Sequence, residues 1–200
     1  MTVLAIDTST TRGSVAILSG EKILFAEDFV ADRSHSATLF AILARAREGT
    51  LPWDQVVIGL GPGSYAGIRI AIAAAMGIEL TTGASLAGIP SVAAWDTGAA
   101  DYIAIGDARR ETFYWTRVEK GFCTEGPMLL DSVELKSRLD RETLPVFSSD
   151  SLEGFPSVRQ AFPSARILAQ LALAKRGTVE GEVLEPIYLR EPHITTPKAK

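Results

Sequence analysis

Histidine and cysteine are scarce in this 200-residue chain, which has two histidines, His35 and His193, and a single cysteine, Cys123. A lone cysteine forms no internal disulfide, and without a nucleophile motif around it Cys123 reads as a structural thiol. Two isolated histidines supply no paired imidazoles, since the residue four places after His35 is Leu39. With no Cys/His cluster to hold zinc or iron, no catalytic metal and no cofactor is expected. Ser-His-Asp chemistry fails on the same count. A basic face is also lacking. Net charge is −4, with no basic tract beyond Lys198 and Lys200, which argues against tight stand-alone binding of nucleic acid. Long apolar runs are missing too. The longest apolar-rich stretch, Ile68 to Leu80, contains Arg69 and Glu79 and is too short for a bilayer. The N-terminus has no basic n-region and Asp7 interrupts its first apolar run, so it reads as a strand and not a signal peptide. Hydrophobic residues at 46% and charged residues at 22% are ordinary for a soluble globular protein. A cytoplasmic protein is expected.

What is present centres on Gly61-Pro62-Gly63-Ser64-Tyr65-Ala66-Gly67-Ile68-Arg69. It follows the apolar run Val56 to Leu60, which reads as a buried strand, and precedes an alanine-rich run that reads as a helix of about Gly67–Thr82. Two readings are open. Backbone N–H groups of a glycine turn at a helix N-terminus can cradle an anion. The same glycines can equally serve a tight strand-to-helix turn. No Lys-Ser or Lys-Thr follows, so this is not a P-loop. Either way Gly63 and Gly67 should be structurally demanding.

The spacing predicts strands over Val3–Asp7, Gly13–Leu18 and Lys22–Val30, with a turn at Ser19-Gly20-Glu21. A helix capped by Ser34 or Ser36 should run to about Glu48, where Gly49 ends it. Ile89 to Ala93 reads as either a strand or a helix start. The second half restarts in the same way: Tyr102 to Asp107 echoes Val3 to Asp7, and Thr112 to Val118 follows a short polar turn. A short helix over Val133–Leu139, a strand over Leu144–Ser148 and helical stretches within Ser157–Arg176, broken near Pro163, complete it. This is a weak internal duplication. The expected fold class is α/β, a duplicated ribonuclease-H-like (actin-like ATPase) fold of two lobes. The expected division is an N-terminal half-domain over 1–98 and a smaller C-terminal half-domain over 99–200. The Pro192 to Lys200 tail is expected to be mobile.

The glycine stretch resembles the Gly-Pro-Gly-Ser-Phe-Thr-Gly-Leu-Arg signature of the TsaB (YeaZ) family, members of the actin/hexokinase/Hsp70-like superfamily. Leu4 to Thr10, His35-Ser36, Asp107 to Arg110 and Pro186 to Arg190 agree with it in order and spacing. Tyr65-Ala66 replaces the usual Phe-Thr, and Ala37 follows His35-Ser36 where the family commonly carries an acidic residue. The resemblance implies a non-catalytic scaffold in the formation of N6-threonylcarbamoyladenosine in tRNA. It implies a heterodimer with TsaD, a further partner TsaE, and tRNA contacted only through the complex. TsaD carries a His-x-x-x-His pair whose equivalent places here fall near Ser91 and Trp95, neither able to replace an imidazole.

The residues also allow an enzyme. In actin-like ATPases a carboxylate placed as Asp7 is holds a metal-bound nucleotide, so Asp7, Thr8, Gly61, Gly63 and Ser64 are candidate nucleotide contacts of a small actin-like ATPase or phosphotransferase. Against this, Asp7 can cap a turn through its own backbone, and Asp107 is followed by Ala108-Arg109-Arg110, not by a second glycine-rich phosphate loop. Arg109 and Arg110 could bind phosphate or form a solvated turn. The second helix is apolar all round and rich in small residues, so it must be covered on both sides. Internal packing is one cover. The resemblance implies another, pairing with TsaD, or with a second copy when alone, through Leu39, Phe40 and Leu43 of the first helix and Ile70, Ala74, Gly77 and Ile78 of the second.

Overall fold

Strand β1 (Thr2–Asp7) is buried on both faces, and its alternating side chains divide between two cores. Leu4 and Ile6 face one core, Val3 and Ala5 the other. That explains a near-continuous apolar strand, which a sheet covered on both sides favours. Antiparallel β2 (Arg12–Ser19) and β3 (Lys22–Val30) extend the sheet on one side of β1. On the other side parallel β4 (Gln55–Gly59) and β5 (Ser85–Ile89) continue it. Helices α1 (His35–Arg47) and α2 (Tyr65–Thr82) cover the Leu4/Ile6 face. A short 3₁₀ turn (Ser91–Ala94) leads out. This computed structural model describes residues 1–30, 35–50, 52–180 and 184–190.

The second sheet repeats the first. Antiparallel β6 (Asp101–Asp107), β7 (Thr112–Glu119) and β8 (Phe122–Asp131) are followed by α3 (Ser132–Leu139), then by β9 (Val146–Ser148) parallel to β6 and β10 (Arg159–Gln160) parallel to β9. The strand orders β5-β4-β1-β2-β3 and β10-β9-β6-β7-β8 are the same path drawn twice. This is the expected duplicated two-lobe ribonuclease-H-like fold. The chain does not remain in the second sheet. Helix α4 (Ala165–Leu173) packs on the Val3/Ala5 face of the first sheet, and β11 (Val179–Glu180) joins that sheet beside β5 as its sixth strand.

Local chemistry accounts for the helix ends. Ser64 caps α2 by accepting from Gly67 N–H, and Gly83 closes it at φ +74°, its N–H donating to Glu79 O at 2.8 Å. Helix α2 thus starts two residues before the expected Gly67. Helix α1 begins at His35, so Ser36 lies inside its first turn; Ser34, the other expected cap, and the Pro192 to Lys200 tail lie outside the described residues. Four strands were not foreseen. β5 is built of small residues, Gly126-Pro127 interrupts the β8 sequence, and β10 and β11 are each two residues long. Residues 157–163 are not helical as expected, and the helix starts only after Pro163.

Candidate functional site

Asp7 ends β1 and turns inward. It is completely buried. Its Oδ1 accepts from Ser9 N–H at 2.8 Å and from the Ser9 hydroxyl at 2.7 Å. Its Oδ2 occupies the space beside Gly59, where a Cβ would sit 1.8 Å from it and 2.6 Å from Ser91 Oγ. Ser91 Oγ accepts from Gly61 N–H at 2.9 Å, and Asp7 Oδ2 lies beside it without a formed hydrogen bond. Burial pushes the Asp7 carboxyl above its ordinary range, and the neighbouring Ser91 and Ser9 only partly oppose this. The turn-capping role of Asp7 is therefore realised. Ser91 and Trp95, the places compared with a histidine pair, are both buried.

The glycine turn closes on the β1–β2 turn. Ser64 N–H donates to Ser9 O at 2.6 Å, and the Thr8 hydroxyl donates to Gly67 O at 2.7 Å. A Cβ on Gly63 would lie 2.1 Å from Ser9 O, and one on Gly67 would lie 2.0 Å from Thr8 O. Both glycines are thus required by backbone approach, since neither has positive φ; Gly61, at φ +92°, is the residue of this turn that needs a glycine's conformational freedom. The N–H groups of Gly61, Ser64 and Gly67 are all used inside the protein. An anion at this turn would find those three donors spent.

Between the lobes lies a cleft of about 1160 Å³. Ser9 to Thr11 and Gly63 to Tyr65 line it from the first lobe, Asp107 to Arg110 from the second. Arg109, Arg110 and Glu111 all have positive φ, at 67°, 55° and 58°. Asp107 holds that turn by accepting from Arg109 N–H at 2.7 Å, and the Thr112 hydroxyl donates to Arg109 O at 2.7 Å. Arg109 is 88% exposed, so its 3.8 Å contact with Asp107 contributes little. Among the described residues no three His, Cys, Asp or Glu side chains gather as a metal site.

The helix residues expected at a partner face divide sharply. Leu39, Leu43 and Ala74 belong to the core under the first sheet, so their assignment to an exposed face is corrected. Ile70 and Ile78 are half-buried against that core. Phe40 and Gly77 do face outward. The outer face of α2 carries Ala73, Met76 and Leu80 as well, the last at 86% exposed. An apolar helix on every side offers no polar stripe to mark its phase, which is why the sequence misplaced the face by one residue at position 74.

Residues 29–133 match the family described as TsaD, tRNA N6-adenosine threonylcarbamoyltransferase. An uncharacterised protein of Mycobacterium tuberculosis is 30% identical, across 96% of this chain and 92% of its own. TsaB of Escherichia coli, named a tRNA threonylcarbamoyladenosine biosynthesis protein, is 29% identical across 95% of both chains. The chain belongs to the TsaB (YeaZ) family. A Pseudomonas aeruginosa crystal structure, of a protein described as similar to peptidase YeaZ, superposes with a TM-score of 0.74 at 25% identity, covering 94% of this chain and 99% of that one. Against the TsaB family signature, Tyr65 stands where Phe is usual, and its ring meets Tyr188 at 5.4 Å between centroids. That pairing went unforeseen because Pro186 to Arg190 is remote in sequence and offered only its family likeness as a signal. No described helix is long and apolar enough to cross a membrane.

Proposed function

We propose that this chain is the non-catalytic scaffold of the assembly that forms N6-threonylcarbamoyladenosine in tRNA, acting in the cytoplasm. It docks on TsaD through the outward face of α1 and α2 and so holds TsaD in its active form. TsaE joins that pair, and tRNA is met only through the complex. Without TsaD the same face joins a second copy. Family membership supports the pathway. The observation that carries the non-catalytic reading is Asp7, fully buried, with Oδ1 held by Ser9 and Oδ2 enclosed beside Gly59 and Ser91, outside the lining of the interlobe cleft. The exposed Phe40, Met76 and Leu80 support the docking face.

The interlobe cleft favours a second reading, a small actin-like ATPase or phosphotransferase. One reconstitution separates them. The chain is mixed with a TsaD-type transferase, threonylcarbamoyl-adenylate and tRNA, and the modified nucleoside is measured; in parallel the chain alone receives ATP and magnesium. Strong stimulation of nucleoside formation, with no turnover by the chain alone, is expected. Turnover by the isolated chain at about 1 per second or faster, lost in Asp7→Asn, would establish the enzyme instead.

A further inference from the structure

Leu184 to Arg190 ties one lobe to the other along the cleft. Its first part is anchored in the first lobe. Leu184 and Ile187 pack against the core beneath α1 and α2, and Ile187 N–H donates to Leu60 O at 2.8 Å. The Tyr188 ring lies on Tyr65 at the start of α2. Its last two residues belong to the second lobe. Leu189 packs against the core containing Tyr102 and Phe147, and the Arg190 guanidinium donates to Thr112 Oγ1. Thr112 closes the turn of three residues in the left-handed region, a conformation kept only where its surroundings hold it.

Other ties between the lobes lie elsewhere. Trp95 bridges to Pro163, Asp96 N–H donates to Phe162 O at 2.9 Å, and Ala165 N–H donates to Ser14 Oγ at 2.8 Å. These lead into α4, on the face of the first sheet opposite to Leu184 and Ile187. The lobes are therefore joined closely on the α4 side and spanned by Leu184–Arg190 on the other. The two ends of the span differ in strength. The first-lobe end has two half-buried apolar side chains on a core, a backbone hydrogen bond and an aromatic contact. The second-lobe end has one such side chain, Leu189, and the Arg190–Thr112 hydrogen bond, which faces water and competes with it.

We propose that Leu184–Arg190 is a latch. It is fixed to the first lobe and releasable from the second, and it sets how far the cleft opens about the α4 side. The test uses the full chain with Cys123→Ser and spin labels at Thr11→Cys and Ser151→Cys, exposed positions on opposite lobes that leave the latch contacts untouched. Pulsed electron–electron resonance then reads the distance between them, with and without Leu189→Ala/Arg190→Ala. The expected result is a single narrow distance in the parent and a longer, broader distribution once the latch is released. An unchanged distribution in a folded double variant overturns the proposal. If circular dichroism shows the double variant unfolded, Arg190→Ala alone is read in the same way. An unchanged distance there overturns it equally.

Discussion

A carboxylate sealed from water on every side is a burden to the fold unless something needs it charged. Asp7 has that character: burial raises its pKa above 3.8, and Ser91 and Ser9 offset this only in part. The sign of the linkage follows. A folded-state pKa above the unfolded value gives stability that is complete below the unfolded pKa and is lost as pH rises through the folded one. Asp7→Asn does not titrate, and its amide oxygen can still accept from Ser9. The variant should therefore melt no lower than the parent at neutral pH. Its relative advantage should shrink as pH falls through 3.8, below which the parent's carboxyl is protonated in both states. Thermal melts of both proteins across that range supply the test. It should also stimulate TsaD as the parent does, because Asp7 is fully buried among Ser9, Gly59 and Ser91 and reaches no surface. A variant that folds normally yet abolishes stimulation would show that the charge itself is used.

Helix α2 shows how far an element can be read before its neighbours are known. Its end at Thr82 and its need for cover on two sides were legible from the alanine-rich apolar run. Its start lies two residues earlier than expected because Ser64 caps it. Its phase was not legible. Ala73 and Ala74 are chemically identical and adjacent, yet Ala73 is exposed and Ala74 lies in the core. That difference yields a paired prediction. Ala74→Glu puts a charge into the core beside the first sheet, where an unpaired ion costs several kcal/mol, so it should lower the melting temperature sharply or prevent folding. Ala73→Glu should leave folding intact. It should weaken pairing with TsaD by about a hundredfold, the equivalent of roughly 3 kcal/mol for a charge desolvated without a partner. Circular dichroism and titration calorimetry on the two variants decide it. If Ala73→Glu folds and binds TsaD as the parent does, the outward face of α2 is not the contact.

At the scale of the whole molecule the duplication was legible because Val3 to Asp7 and Tyr102 to Asp107 carry the same alternation into the same kind of turn. What could not be read was the return of α4 and β11 to the first lobe, since a packing partner so remote in sequence leaves no local trace. That return covers one face of the first sheet with the chain's own helix, while α1 and α2 cover the other and keep Phe40, Met76 and Leu80 in water. A single outward apolar face can serve only one neighbour at a time. A second copy would use it isologously, and TsaD would have to displace that copy. Light scattering during titration should therefore show a homodimer passing to a one-to-one heterodimer, without a stable species holding two copies of this chain on one TsaD. Raising this chain's concentration should weaken the apparent affinity for TsaD, and Ala73→Glu should abolish both the homodimer and that concentration dependence. If TsaD instead binds the intact homodimer with undiminished affinity, self-association and TsaD binding occupy different faces, and the shared-face arrangement is wrong.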